Sequence, residues 1–185
     1  MVLKFEQSSE QQAGFVTRVT GLVKLKHLIP LIDELDLQAN PRDSKVGQVT
    51  ADIRESLDVT PEIFPFKSKG ILLAASEYRA LDRGRYALNF NDPDLEGILD
   101  GGHNTLAIGL YILEQAFGED AGPKLKPIKL WQDFKEVWDA SKQSVKDFRD
   151  SLDPEDSSLN TLVPVELLLP LDQEDQVILG DFNKS

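Results

Sequence analysis

The pattern of apolar and polar positions predicts strands that alternate with helices. Segments that are β-branched, alternating or continuously apolar predict the strands, and apolar positions at spacings of three and four predict the helices. The predicted strands are 15–25, 71–75, 86–90, 98–99, 127–131 and 161–169. The predicted helices are 27–35, 46–57, 103–117 and 133–152, with a further helix beginning at 172.

Glycines and prolines refine these boundaries. We expect Gly21 to interrupt the first strand, Pro30 to lie near a first helical turn, and Pro164 to place the last strand at an edge or a bulge. The two prolines in 61–66 predict an apolar loop. Gly118 is expected to end the helix 103–117. Turns are expected at 40–43 and 91–94, and 86–90 is the second strand of a hairpin.

This alternation predicts one α/β domain, with an α+β arrangement as the alternative. Residues 1–14 are polar and are expected to form a flexible N-terminus, so the domain spans 15–185. The helix 103–117 has almost no polar face and is therefore expected to be buried on most sides. No internal repeat or linker divides the chain.

Composition excludes several kinds of site. There is no cysteine, which removes disulfides, thiolate catalysis and zinc–thiolate centres, and only two histidines are present. No apolar run approaches the ~20 residues of a membrane helix, and the first residues do not form a secretory signal. We therefore expect a cytoplasmic protein that has no metal centre and does not contact membranes.

The formal net charge of −12 is concentrated near the C-terminal end. Residues 151–185 contain eight acids and one base, Lys184. An anionic surface repels DNA phosphates, so direct DNA binding by this chain is not expected. A basic cluster precedes the central glycines and has two interpretations, a solvated hairpin or a positive rim that helps to hold phosphate. Its members are Lys67, Lys69, Arg79, Arg83 and Arg85.

Candidate chemistry is concentrated in the segment 100–105, where an apolar strand meets two glycines and a helix begins. Gly101 and Gly102 allow left-handed backbone and close approach to a ligand, and the first N–H groups of the helix favour an anion. His103 can act as acid, base or donor, and Asp100 can orient it or hold Mg²⁺. The alternative is a turn with no ligand, in which His103 caps the helix. No Gly-x-Ser-x-Gly elbow and no P-loop pattern is present.

The segment Leu99–Ile108 resembles the Asp-Gly-Gly-His-Thr motif of the abortive-infection phage-resistance (AIPR) family. It is similar, more distantly, to the Asp-Gly-Gln-His-Arg motif of the DndB-like proteins of phosphorothioate DNA modification. It is also similar to the Gly-x-x-Arg-x-x-Ala motif of the ParB/sulfiredoxin fold. Further likenesses follow the same order within 36–180. They are Asn40-Pro41-Arg42, the segment from Phe64 to Gly70-Ile71, Leu162–Glu166 and Asp172–Asp175.

The resemblance implies a ParB/sulfiredoxin-like mixed sheet packed by helices, with nucleotide phosphates bound at the loop and the helix N-terminus. Asn104 stands where the ParB and DndB motifs have arginine, and it cannot form a bidentate charged fork to phosphate, which favours binding over hydrolysis. AIPR-type proteins are longer than 185 residues, so this chain is expected to be an N-terminal piece or a short relative. The ligand contacts that the resemblance implies are Arg42, Lys69, Gly70, Asp100, Gly101, Gly102, His103, Asn104 and Thr105.

Three functions follow as expectations. The first is a phage-defence domain that binds a nucleotide, with or without Mg²⁺, or a nucleic-acid phosphate. The second is a nuclease or nucleotide hydrolase in which Asp100 and His103 are catalytic. The third is a non-catalytic regulatory module whose acidic C-terminal face, including Asp172, Glu174 and Asp175, contacts a basic partner.

Overall fold

The structure is a computed structural model that describes residues 1–40, 43–155 and 157–171. It contains two sheets packed with helices, which confirms the predicted α/β class. The strands are β1 Val2–Lys4, β2 Gln7–Ala13, β3 Val16–Lys24, β4 Ile71–Ala74, β5 Glu77–Ala80, β6 Arg85–Asn89, β7 Gly97–Asp100 and β8 Leu162–Pro170. The helices are α1 Leu25–Glu34, α2 Gln48–Val59, α3 Phe64–Lys67, α4 Gly102–Phe117, α5 Ala121–Leu125, α6 Trp131–Ala140 and α7 Lys142–Ser151.

The larger sheet has the order β2-β3-β8-β4-β7. All of its pairs are antiparallel except β4 with β8, which is parallel. The smaller sheet is antiparallel and has the order β1-β6-β5. Strand β8 therefore lies at the centre of the larger sheet, and β4 separates it from β7, the strand that leads into Gly101 and Gly102.

The prediction of an edge position from Pro164 is wrong. Leu22, the partner of Pro164 on β3, uses its carbonyl to accept a hydrogen bond from the Glu6 N–H at 2.8 Å. The backbone groups of Leu22 therefore point away from β8. Pro164 lies opposite Leu22, so it does not have to donate an N–H to β3. On the other side, β4 begins only at Ile71, opposite Val165. A proline fits this central strand because neither neighbour requires its missing donor.

Helix α4 is buried as predicted. Leu106, Ile108 and Ile112 are fully buried, and the helix ends at Gly118, whose φ is 58°. It packs against α1, α2, α6 and α7, so one main hydrophobic core joins the helices to the larger sheet. No helix in the described ranges has both the length and the apolar character needed to cross a membrane.

The N-terminal segment is not irregular, contrary to the prediction for 1–14. It contributes β1 to the smaller sheet and β2 to the edge of the larger one. All seven residues of β2 are exposed, so the strand shows no apolar alternation. Its backbone pairs with β3 along its whole length, and a pattern of buried side chains could not have revealed it.

Two other segments differ from their predictions. The stretch 61–66 is not a loop, since it forms a short 3-10 turn at Pro61–Ile63 followed by α3. The hairpin that contains 86–90 is formed by β5 with β6, and β4 belongs to the larger sheet instead. The predicted turn at 40–43 and the helix from 172 fall on residues outside the described ranges, in part or in full.

The stretch 127–131 is not a strand. Only Leu130 forms a bridge, with Lys45, and α6 begins at the next residue. The carboxylate of Asp133 accepts hydrogen bonds from the N–H groups of Lys129 at 3.0 Å and Leu130 at 2.9 Å. These bonds lower the pKa of Asp133. They also hold the residues before Trp131 in the conformation that begins α6.

The predicted helix 133–152 is two helices, since α6 and α7 are separated by Ser141, whose ψ of 9° departs from helical geometry. Both tryptophans of the chain attach α6 to the C-terminal end of α1. Trp131 Nε1 donates to Asp36 Oδ1 at 2.6 Å, and Trp138 Nε1 donates to Asp33 Oδ1 at 2.8 Å. The break at Ser141 lets both short helices pack on α4.

We predict that Gly109→Ala destabilises the protein by about 1–3 kcal/mol, because overpacking of a buried contact costs that much. A Cβ on Gly109 in α4 would lie 2.2 Å from Cζ of the fully buried Phe134 in α6. Gly122→Ala is the matched control, since nothing lies within 4 Å of its added Cβ. Chemical denaturation measures both, and Gly109→Ala being as stable as Gly122→Ala would contradict the packing of α4 on α6.

Candidate functional site

The candidate site lies where β7 passes into α4. Asp100 is the last residue of β7, and Gly102 is the first of α4. Gly101 lies between them with φ 85° and ψ 25°, a left-handed conformation that side-chain-bearing residues rarely adopt. The strand, glycine turn and helix N-terminus predicted from the sequence are therefore all present.

Glycines allow three backbone segments to meet at this turn. A Cβ on Gly101 would lie 2.3 Å from the carbonyl oxygen of Gly70, and one on Gly70 would lie 2.0 Å from the carbonyl oxygen of Pro164. A Cβ on Gly102 would lie 2.3 Å from Ser44 Oγ and 2.5 Å from Asn40 Nδ2. The start of α4, the residue before β4 and strand β8 thus approach closely because side chains are missing here.

An open cleft with a volume of about 480 Å³ lies over the turn. It brings together most of the residues that the sequence singled out. Those that line it are Lys69, Gly70, Asp100, Gly101, Gly102, His103 and Asn104. Arg42 lies outside the described ranges, and Thr105 does not line the cleft.

Thr105 and Asn104 organise the turn from within. Thr105 is 1% exposed, and both its N–H and its hydroxyl donate to the carbonyl oxygen of Gly101 at 2.9 Å. This closes the first helical turn, so Thr105 has a structural contact in place of the predicted ligand contact. Asn104 Nδ2 donates to the carbonyl oxygen of Gly70 at 2.8 Å and ties α4 to the start of β4.

Backbone donors remain at the mouth of the cleft. The N–H groups of Gly102, His103 and Asn104 occupy the first three positions of the helix and have no intrahelical acceptor. Together with the helix dipole they form a partial positive charge that favours an anion or another acceptor. Asp100 Oδ1 already accepts a hydrogen bond from the neighbouring Gly101 N–H at 2.8 Å.

Glu166 is a residue of this cleft that sequence reasoning missed. Asp100 on β7 and Glu166 on β8 both pair with Leu72 on β4, so the three form one row across the sheet. At the usual strand spacing the Cα atoms of Asp100 and Glu166 are roughly 10 Å apart. The signal was the alternation of β8, where Val165 and Leu167 are buried and Glu166 must face the other side of the sheet.

The side chains of the cleft carry charges of both signs. Asp100 and Glu166 are balanced among the described residues by Lys69, and His103 is half-buried beside them. No hydrogen bond or ion pair joins Asp100 to His103 in the part of the chain that the structure describes. The predicted orientation of His103 by Asp100 is therefore not formed here.

The basic cluster does not act as one rim. Lys69 lines the cleft, and Lys67 lines a smaller groove beside it. Arg79, Arg83 and Arg85 belong to the β5–β6 hairpin of the other sheet and line neither.

No cluster in the described ranges brings together three or more histidines and acidic residues in a way that could hold a metal ion. The second histidine, His27, lies on α1 and does not line the cleft, and burial lowers its pKa. A metal at the cleft would consequently depend on oxygen atoms that a ligand supplies.

Glu96 supports the strand that carries Asp100. Its carboxylate is 4% exposed and accepts hydrogen bonds from three backbone N–H groups, those of Ser76, Asn91 at 2.9 Å and Asp92 at 2.6 Å. These bonds join the loop before β7 to the end of β4. Glu96 therefore fixes where β7 begins and, through it, where the glycine turn lies.

We predict that Glu96→Ala lowers the free energy of unfolding by about 3 kcal/mol or more, because three backbone donors lose a charged acceptor. Glu119→Ala, at an exposed position, should stay within about 0.5 kcal/mol of the wild type. Denaturant titration gives both values. Equal stability of the two variants would show that the Glu96 network does not support the turn.

Comparison with known proteins gives no assignment. No family model, curated protein or solved structure matches this chain. The likeness to the AIPR family and to the ParB/sulfiredoxin fold therefore stays a prediction. The function has to be argued from the geometry and chemistry of the cleft.

Proposed function

We propose that this chain binds the phosphate groups of a nucleotide, accompanied by Mg²⁺, at the N-terminus of α4. The proposal extends to a cytoplasmic phage-defence protein of the AIPR type with a ParB/sulfiredoxin-like core, as the sequence resemblance implies. The observation that carries it is the set of three helix-start N–H groups at an open, glycine-lined cleft.

The backbone donors suit phosphate oxygens. Three consecutive N–H groups at a helix start converge on one small region, and the helix dipole adds to their attraction for negative charge. The cleft volume of about 480 Å³ falls in the range of small-molecule sites. Gly101 has no side chain and is partly exposed, so a phosphate can approach the turn at this residue without displacing a side chain.

The carboxylates favour a metal-bound phosphate over a bare one. Asp100 and Glu166 repel a free polyphosphate, whereas Mg²⁺ compensates that charge and accepts carboxylate oxygens. Asp100 adjoins the helix N-terminus, so it is the residue that would hold Mg²⁺, with phosphate oxygens and water completing the shell.

The charge of the chain selects among phosphate ligands. The formal charge of −12 opposes the approach of a long nucleic acid, whose binding relies on neutralised phosphates. A single nucleotide presents its phosphates at one place and avoids the acidic surface elsewhere. We therefore propose a nucleotide in preference to a nucleic-acid strand.

Hydrolysis is the second candidate, because His103 lines the same cleft as Asp100 and Glu166. In that case His103 would exchange a proton with water or with a leaving group. Binding is preferred because Asn104 occupies the position of the related arginine and its amide is bonded to Gly70. The third alternative, an interaction through Asp172, Glu174 and Asp175, concerns residues outside the described ranges and stays a prediction.

We predict saturable binding of Mg–ATP or Mg–CTP by calorimetry, with adenosine or cytidine binding at least about tenfold more weakly because it lacks phosphates. Lys69→Ala should raise the nucleotide Kd by about two- to fivefold, as expected for one exposed charge. Lys146→Ala, an exposed lysine on α7, should leave the Kd unchanged.

Absence of saturable binding by the folded protein would overturn the proposal, as would an equal effect of the two lysine variants. Turnover decides between binding and hydrolysis. Release of inorganic phosphate by the wild type, abolished by His103→Ala at unchanged Tm, would establish the hydrolase. Binding without phosphate release would support the proposal as stated.

A further inference from the structure

The larger sheet has an open edge at β2. This strand pairs with β3 along all seven of its residues without a register shift, and no other strand in the described ranges pairs with it. All seven residues are exposed. Ordering them costs conformational entropy that the burial of their own side chains does not offset. The strand is therefore unusual for one that is only part of a monomer.

The hairpin that joins β2 to β3 shows which backbone groups face outward. Ala13 pairs with Val16 across a two-residue turn, and the closing pair of such a hairpin is hydrogen-bonded. Alternation along the antiparallel pair then directs the backbone of Ser8, Glu10 and Gln12 away from β3. Their N–H and C=O groups form no hydrogen bond within the part of the chain that the structure describes.

Strand β2 also lacks the features that usually protect a sheet edge. Such edges are kept very short, are kinked by a bulge, or contain proline or charged residues, lysine above all. The sequence of β2, Gln-Ser-Ser-Glu-Gln-Gln-Ala, has no proline or lysine, and its pairing with β3 has no bulge. The edge is therefore able to accept a further strand.

The composition of β2 suits an identical strand. Serine and glutamine side chains both donate and accept hydrogen bonds, so two copies are complementary to each other. The net charge of −12 opposes contact between copies elsewhere, whereas β2 has a single charged residue, Glu10. The Glu10 carboxylate already accepts a hydrogen bond from the Tyr86 hydroxyl. A shift of two residues from full overlap places Glu10 opposite Gln12 of the second copy, so like charges do not face each other.

Exposed apolar surface lies at one end of the same edge. Phe15, in the turn that follows β2, is 65% exposed, and Leu171 is 43% exposed. The Leu171 N–H donates to the carbonyl oxygen of Phe15 at 2.7 Å, so the two residues are neighbours. An antiparallel strand added to β2 would run past this turn and cover part of its apolar surface.

We propose that two copies of this chain associate through their β2 strands, which pair antiparallel about a two-fold axis and join the two larger sheets into one. The contact is small, so the association is weak and depends on protein concentration. Because the contact uses β2 of both copies, assembly stops at the dimer. The inference does not depend on nucleotide binding at α4.

Sedimentation of the whole chain at increasing protein concentration tests the proposal. The mean mass should rise from that of a monomer towards that of a dimer and no further. Gln12→Pro should raise the dissociation constant of the dimer by about tenfold or more, because it removes an outward N–H from each copy while the bonds to β3 remain.

Ala80→Pro is the matched control, on the edge strand β5 of the smaller sheet. The next residue, Leu81, donates its N–H to the carbonyl oxygen of Arg85 at 2.8 Å, so the N–H of the exposed Ala80 faces outward as that of Gln12 does. This variant should leave the dissociation constant unchanged.

Cysteine cross-linking tests the same contact without a proline, since the chain has no native cysteine. A short bismaleimide should join Gln11→Cys into a covalent dimer, because the two copies of residue 11 lie opposite or diagonal to each other across the paired strands. Glu55→Cys, at an exposed position on α2, should stay monomeric. A monomer at every concentration, equal weakening by the two proline variants, or Gln11→Cys cross-linking no better than Glu55→Cys would each overturn the proposal.

Discussion

The close approach of backbone segments at Gly70, Gly101 and Gly102 is the constraint on which the rest of the site depends. Carbonyl oxygens of Gly70 and Pro164 occupy the space that a Cβ would fill at Gly101 and Gly70. Because no side chain intervenes, the start of α4 lies directly against β4, and β4 against the central strand β8. This packing sets the direction of α4, whose first residues line the cleft. Asn104 and Thr105 then hold the turn by bonds to Gly70 and Gly101.

Much of this fold could be predicted from apolar patterning, because its central elements are buried. The continuous apolar stretch of β4 predicts a buried strand, and the nearly uniform apolar character of α4 predicts a buried helix. The strand β2 could not be predicted, since its side chains are all exposed and its backbone pairing with β3 leaves no apolar pattern in the sequence. The stretch before Trp131 was equally misleading, because its apolar residues precede a helix whose start is capped by Asp133. Pro164 indicated an edge because the sequence does not show that its partner Leu22 bonds to the other side, or that β4 begins only opposite Val165.

The candidate site was predictable where it is local and unpredictable where it depends on the sheet. Asp100, Gly101, Gly102, His103 and Asn104 are consecutive, so their shared cleft follows from one turn. Glu166 comes from a strand more than 60 residues away in sequence, and only the register of β8 with β4 brings it to the cleft. The attachment of α6 to the end of α1 likewise depends on the Trp131–Asp36 and Trp138–Asp33 bonds, which join distant segments. Pairings of this kind are set by tertiary packing and leave no local pattern.

Backbone amide chemical shifts report whether the first N–H groups of α4 receive phosphate oxygens, as we propose. On titration with Mg–ATP, the amide resonances of Gly102, His103 and Asn104 should shift together and saturate, because each N–H gains a charged acceptor. The amide resonances of β2, at the edge of the larger sheet opposite β7, should stay unchanged. Unmoved resonances at Gly102, His103 and Asn104 at saturating Mg–ATP would show that phosphate does not bind at the start of α4.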